Sequence, residues 1–269
     1  MISAPARTMA VLNLLGSKPQ GITASEIVTA LEVEKSVISR ILATLEKEGY
    51  VTRDPVTDLF RLGLGFVAIA FRYIESLGFY DVCMPELQHL ADVTGELIQL
   101  AVVNRDGMTY VAKAEGNQRV RVYSLLGQEA SLHASTVGKV WLASLPEDVA
   151  LRLALKDGLK VHARNTITAV GALREELQRV REQGFALLEE ELFDGGSAIG
   201  VPITDQRDGS VLGAVLLAGP TYRLPRTRLV EFAPALTKVA ERLAGVWPPD
   251  LAAAGAAATT AMVQPQRGR

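Results

Sequence analysis

The chain is nearly devoid of cysteine and poor in histidine. One cysteine, Cys83, excludes an intrachain disulfide, and the scattered His89, His133 and His162 do not make a Cys/His metal cluster. No metal and no cofactor is expected. No stretch approaches the roughly 18 consecutive apolar residues of a membrane span, and the N-terminus lacks the basic start, apolar stretch and cleavage site of a secretory signal. A cytoplasmic protein without membrane contact is the expectation. Net charge is lacking too, since 28 Lys and Arg stand against 30 Asp and Glu, a formal charge of -2. Charge alone therefore argues neither for nor against nucleic acid.

What is present is an ordinary globular composition, 48% hydrophobic and 22% charged, in 269 residues. That length is ample for two packed cores. At the N-terminus Ser3 can cap a helix with Pro5 just inside it and Val11, Leu12 and Leu15 on its apolar side, ended by Gly16. Thr23 and Glu26 make a Thr-x-x-Glu capping box, with Ile22 as staple and Ala24, Ile27, Val28 and Leu31 as the buried side of a second helix. After a very short connection Val37, Ile38, Ile41, Leu42 and Leu45 recur at helical spacing until Gly49. Two short helices joined so tightly must cross steeply, which leaves the outer face of the second free for a major groove.

At about 100° per residue, the face opposite Ile41 carries Ser36, Ser39, Arg40, Ala43 and Lys47, with Lys35 at its flank. Arginine can pair bidentately with guanine, and serine suits a base edge or a phosphate. Tyr50 to Arg53 and Leu59 to Leu62 then read as a hairpin around Asp54–Asp58, a wing carrying Arg53, Thr57 and Arg61, whose flexible basic tip would meet the DNA backbone or minor groove. The candidate DNA contacts are Thr23, Lys35, Ser36, Ser39, Arg40, Lys47, Arg53, Thr57 and Arg61. Up to Leu62, seven basic and seven acidic side chains balance, so affinity must come from placement rather than surplus charge.

The run from Ser36 through Arg40, Leu45 and Tyr50 to Val51, with Phe60-Arg-Leu-Gly63, resembles the winged helix of IclR-type bacterial regulators. Two later segments resemble the same family: His133-Ala-Ser-Thr-Val-Gly138-Lys139-Val-Trp-Leu142-Ala, and Gln183 to Glu191 with Ile199-Gly-Val-Pro202. The likeness runs from about Ala6 to Trp247. Three separated motifs in the right order are far more specific than one.

The expected fold is α+β: a winged helix-turn-helix over 1–63, a linker and dimerisation helix over 64–79, a GAF-like α/β effector-binding domain over 80–248, and a disordered tail over 249–269. From Leu64 to Leu77, Phe66, Val67, Ile69, Ala70, Phe71, Tyr73 and Ile74 leave Arg72 and Glu75 as the only charges. Such a helix needs cover from several sides, given by a partner chain or by its own domains. The resemblance implies the former, a homodimer or dimer of dimers that presents two recognition helices to a pseudo-palindromic operator in double-stranded DNA. Downstream, helices over Asp81–Thr94, Val140–Leu155, Val170–Gln183 and Arg228–Val246 alternate with strands over Leu97–Val103, Met108–Ala114, Phe185–Glu189, Ala198–Ile203 and Val211–Ala218.

The resemblance also implies an effector pocket built from Leu132, Ala134, Ser135, Thr136 and Val137, a wall of Gly195, Gly196 and Ala198, and Leu216 and Ala218 on the last strand. Backbone amides at the start of the Gly138-Lys139 helix would hold a carboxylate. Leu216 and Ala218 stand where relatives often carry serines, and Ala198 replaces a common cysteine, which points to an aromatic or otherwise hydrophobic acid. As plain core residues of a central strand, Leu216 and Ala218 would have no such role. Repression is the expected outcome, with activation the alternative.

Two other readings compete. A Ser/His hydrolase would use Ser131 or Ser135 as nucleophile, His133 as base and Glu189, Glu190 or Glu191 as acid. Neighbours along a strand face opposite ways, and no Gly-x-Ser-x-Gly elbow or phosphate-binding glycine loop is present. The acidic run then reads as a solvated strand end, and His89 and His162 as surface or cap residues. A ligand sensor without DNA affinity is the second alternative, against which the recognition face and wing both speak.

Overall fold

A computed structural model describes residues 3–122 and 126–253. The described chain forms two compact units that divide between Leu77 and Gly78. In the first unit α1 (Ala4–Gly16) is capped by Ser3, whose hydroxyl accepts the Ala6 amide, and α2 (Ala24–Leu31) by the full Thr23/Glu26 box. Glu32 turns the chain with φ 52, and α3 (Lys35–Lys47) follows. The wing pairs β1 (Val51–Arg53) with β2 (Phe60–Leu62) in antiparallel register, Thr52 opposite Arg61. Val11, Leu15, Ile22, Ile27, Ile38, Leu42, Leu45, Val51 and Phe60 bury together as one core. The helical spacing of these residues in α1 to α3 is what makes a single apolar side on each helix.

The linker helix, α4, spans Leu64–Leu77 rather than reaching residue 79, because Gly78 adopts φ 59 and starts α5 (Phe79–Thr94) afresh. None of the α4 side chains is buried; Leu64 is 80% exposed and Phe71 65%.

The second unit holds a five-stranded antiparallel sheet in the order β4-β3-β7-β6-β5, made of β3 (Leu97–Asn104), β4 (Gly107–Ala114), β5 (Ala186–Glu189), β6 (Gly196–Thr204) and β7 (Val211–Pro220). All ten residues of β7 are buried, as a central strand covered on both faces requires. One face packs on α6 (Thr136–Ser144), where Gly200 touches Thr136; the other packs toward the C-terminal helices, where Gly213 meets Trp247. Behind α6 lie α7 (Glu147–Leu155) and α8 (Val170–Gln183). Leu188, Ala198, Ala218 and Leu97 form one row across the sheet, and Gly200, Leu216 and Gln99 the next, both on the α6 face.

Three expectations need correction. The helix read over Val140–Leu155 is two, because Leu145 before Pro146 is extended (ψ 159). The closing helix read over Arg228–Val246 is also two, α9 (Arg226–Glu231) and α10 (Ala233–Gly245), which restart at Phe232 with Pro234 in the first turn of α10. The tail read as disordered from residue 249 is helical over 249–253, with Ala252 buried and its amide donating to the Pro248 carbonyl at 3.0 Å. Residues 254–269 lie outside the described residues.

Candidate nucleic-acid interface and ligand chamber

The face of α3 opposite its buried Ile38, Leu42 and Leu45 presents Lys35, Ser36, Ser39, Arg40, Ala43 and Lys47, all exposed. Among the described residues Arg40 has only a long contact within its own helix, Nε donating to the Ser36 carbonyl at 3.4 Å. Its guanidinium keeps most of its five donors for an external acceptor. A groove lined by Thr23, Ala24, Ser25, Lys35, Ser39, Ala43 and Arg53 runs between α2, α3 and the wing.

The remaining expected contacts are already engaged. Glu26 Oε2 accepts from the Thr23 amide at 2.8 Å and from the Thr23 hydroxyl at 2.7 Å, bonds that hold the Glu26 carboxyl below its usual range. Arg53 pairs with Asp58 and lies over the Phe60 ring; that hydrogen bond raises the guanidinium further. Arg61 bonds the Gln20 carbonyl at 3.1 Å and approaches Asp54 at 3.6 Å. The tip is thus not basic, contrary to expectation: it carries Asp54, Pro55, exposed Val56, Thr57 and Asp58. The arginines stand on the strands, each beside an aspartate.

In the second unit a chamber of about 370 Å³ opens against the α6 face of the sheet. Of the expected residues, Ser135, Thr136, Ala198, Leu216 and Ala218 line it. Leu216 and Ala218 are both core residues and chamber wall. Ala134 and Val137 are fully buried, Leu132 lines a neighbouring cavity, Gly196 lies against the Phe193 ring and Gly195 is exposed, neither of these glycines on the wall. The sequence reading missed Gln99, Tyr110, Val122, Leu188, Leu192 and Phe193, and also the stretch Gln128 to Ser131 and His162, on the wall. For Gln99 a signal existed, since it is the one polar residue within the apolar run Leu97–Val103 of its strand.

Polar groups gather at the start of α6. Ser135 caps α6, its hydroxyl accepting the Gly138 amide at 3.1 Å, and Gly138 has no room for a side chain because a Cβ would strike the Leu132 backbone. Tyr110 is pushed up to about 12 by burial, against a hydrogen bond with Ser135 that lowers it. Thr136 is 1% exposed, and its hydroxyl has no hydrogen-bond partner among the described residues. First-turn amides of a helix lack intrahelical acceptors, so this end of the chamber offers donors to an anion. Leu188, Leu192, Phe193, Ala198, Leu216 and Ala218 make an apolar wall, and Gln99, Gln128, Glu129, Ser131 and His162 add polar groups to the lining.

At the chamber wall, where Ser131 and His162 stand, residues 132–134 form a turn, not a strand, which overturns the argument that Ser131 and His133 face apart. Ser131 Oγ lies 3.4 Å from His133 Nδ1 and 3.1 Å from His162 Nε2. His133 Nε2 meets the Lys160 carbonyl at 3.0 Å, and burial lowers the imidazole's pKa. The acidic run is no solvated strand end either. Glu190 pairs with Arg164, and buried Glu191 bonds the fully buried Lys139 at 2.6 Å. These pairings leave neither carboxylate on a histidine. Burial raises Glu191 despite that cation, whereas Glu176, also opposed by burial, is held low by Lys139 and Arg179. Among the described residues no metal-binding cluster gathers, and no helix is long and apolar enough to cross a membrane.

A winged helix joined to an α/β unit that encloses a small-molecule chamber is the plan of a ligand-responsive transcription factor. The chain belongs to the IclR family of bacterial transcriptional regulators: the IclR helix-turn-helix domain matches residues 4–55 and the bacterial transcriptional regulator IclR C-terminal domain matches residues 71–244. It is 30% identical over 238 residues to the transcriptional regulator BhcR of Paracoccus denitrificans, covering 88% of this chain and 84% of that one. It is 29% identical over 225 residues to the transcriptional repressor AllR of Escherichia coli, covering 84% and 83%. An IclR transcriptional regulator from Alicyclobacillus acidocaldarius superposes with a TM-score of 0.82 at 28% identity, over 91% of this chain and 99% of that one. An IclR homologue from Microbacterium hydrocarbonoxydans, solved with 4-hydroxybenzoate, shares the fold at a TM-score of 0.77 and 22% identity, over 91% and 98%. The relatives are named as transcriptional regulators, not enzymes.

Proposed function

We propose that this regulator is a homodimeric repressor whose grip on its operator is altered by a small, largely apolar organic acid bound in the chamber beside α6. The observation that carries the effector reading is the Thr136 hydroxyl, buried and without a partner among the described residues at the start of a helix, in a chamber where Leu188, Leu192, Phe193, Ala198, Leu216 and Ala218 make an apolar wall beside the polar Gln99, Gln128, Glu129, Ser131 and His162. A buried hydroxyl left unpaired costs free energy that a bound acceptor recovers, and the helix start favours that acceptor being anionic. Operator contact rests on the α3 face, chiefly Arg40. Dimerisation is supported by the unburied apolar side chains of α4, and repression by the naming of AllR as a repressor. Because two units presented twice double the few placed contacts, a charge-neutral winged helix can still bind DNA firmly.

A ligand alters operator affinity only through different affinity for the free and DNA-bound arrangements. The test is titration of benzoate and 4-hydroxybenzoate against the protein bound to the DNA flanking its gene. Release, or tightening, at concentrations that saturate the free protein is expected. Thr136→Val should weaken acid binding about tenfold, the worth of a hydrogen bond to a charged group, without changing operator affinity in the absence of acid. Equal acid affinity in Thr136→Val and the parent would overturn the anion assignment.

A further inference from the structure

Between β5 and β6 the chain makes a loop, Glu190–Gly195, that has neither helix nor strand of its own and yet is fixed from several directions. The Thr166 hydroxyl donates to the Glu191 carbonyl at 2.6 Å, the Asn165 amide to the Glu190 carbonyl at 3.1 Å, and the Arg164 amide to Asp194 Oδ1 at 3.2 Å. Lys139, reaching from α6 with none of its side chain exposed, holds the Glu191 carboxylate at 2.6 Å. A loop tied in this way can place a side chain accurately. What it places is Leu192 and Phe193, both half-buried and both lining the chamber.

The Phe193 ring is seated on Gly196. A Cβ built on Gly196 would fall inside that ring, so the first residue of β6 has to be glycine for the ring to lie where it does. The ring therefore has a determined position, and from there it forms part of the chamber wall. At about 370 Å³ the chamber sits near the lower end of the roughly 300–1,000 Å³ range of small-molecule sites, so the ring's volume is a sizeable share of it.

Resting on the reading of the chamber as an acid site, we propose that Phe193, held by its tied loop and seated on Gly196, is the residue that limits the size of the acid this regulator accepts. The carboxylate end is served by the α6 start. Phe193 meets the opposite, apolar end of the ligand and rejects acids longer than one ring. Lys139 acts as a positioning residue through Glu191 and touches no ligand.

The test is isothermal titration of the full-length protein with benzoate and with 4-phenylbenzoate. The parent should bind benzoate and bind 4-phenylbenzoate at least about tenfold more weakly, an apolar pocket's usual discrimination against excess bulk. Phe193→Ala should remove or invert that preference, leaving the effect of Thr136→Val on benzoate intact. Gly196→Ala displaces the ring without deleting it, so it should shift the size preference in the parent and do nothing further in Phe193→Ala. An unchanged preference in Phe193→Ala, with benzoate binding still sensitive to Thr136→Val, would overturn the size-limit role alone. No acid binding by the folded parent would overturn the chamber reading and the size limit with it. Lys139→Arg should keep the parent preference where Lys139→Met relaxes it.

Discussion

Two helices, one assigned to the operator and one to the effector in the proposed function, are built in opposite ways. The recognition helix α3 buries only Ile38, Leu42 and Leu45, has no side-chain N-cap bond, and turns its polar groups outward. Every residue of α6 from Thr136 to Ala143 is buried, its first turn is capped by Ser135, and its one cation points inward to two carboxylates. A helix that reads DNA needs donors free in solvent until the operator arrives. A helix that senses a small molecule needs its polar groups dry and fixed beforehand, because preorganised donors in a dry site lose little on binding. The same residue type, a lysine, thus has a solvent role at Lys47 and a structural one at Lys139.

The largest expected effect falls on the buried side of this comparison. Lys139→Met leaves Glu176 and Glu191 without their shared cation, and breaking a buried pair in this manner costs roughly 3–5 kcal/mol. Urea denaturation of the full chain should show that loss, with part of it restored in Lys139→Met/Glu191→Gln. Burial already raises Glu191 above its ordinary value of 4.5. With the lysine gone the folded state favours its protonated form more strongly still, so the deficit should shrink as pH falls through the folded value toward 4.5. Stability equal to the parent at neutral pH would mean that the inward lysine contributes nothing and that the contrast with α3 is one of appearance.

On the exposed side the effect should appear in binding and not in stability. Arg40→Ala removes a guanidinium whose only contact is a long intrahelical one, so folding should change by less than about 0.5 kcal/mol. Operator affinity should fall by roughly 1–3 kcal/mol, with sequence preference relaxed at the base pair it reads. A gel-shift comparison of the flanking DNA and an unrelated duplex separates the two cases. Equal losses on both would make Arg40 a phosphate contact rather than a base reader.

The difference in construction also explains what could be read without coordinates. A half-buried helix prints its apolar side as a 3.6-residue period, so α2 and α3, the capping box at Thr23 and the exposed Arg40 face were all legible. In α6 and β7 burial is all-round and there is no period to read. Lys139 looks like a surface residue there, and Leu216 and Ala218 cannot be divided between core and wall. The breaks at Leu145 and Phe232 had a visible cause in Pro146 and Pro234, overridden by the continuity of apolar residues around them. Phe193 and Glu191 were illegible for another reason: their places depend on bonds to Thr166 and Lys139, 25 or more residues away in sequence. The wing's charge is hidden in its composition, because the pairing of Arg53 with Asp58 and of Arg61 with Asp54 depends on the hairpin's geometry.

That wing allows the smallest and most discriminating test. Asp58 sits at φ 60 and neutralises Arg53 on the neighbouring strand. Asn tolerates this backbone as well as Asp does, so Asp58→Asn removes one charge without distorting the turn. Both partners are exposed, 49% for Arg53 and 60% for Asp58, and solvent screens an exposed pair; the unfolding midpoint should barely move. Operator affinity should rise a few-fold at low salt, and the slope of log affinity against log salt should steepen by about one, as one more cation becomes available to phosphate. An unchanged slope would show that the wing stays clear of the DNA backbone. The operator would then be read by α3 alone, and the Arg53–Asp58 pair would serve only to hold the two short strands together.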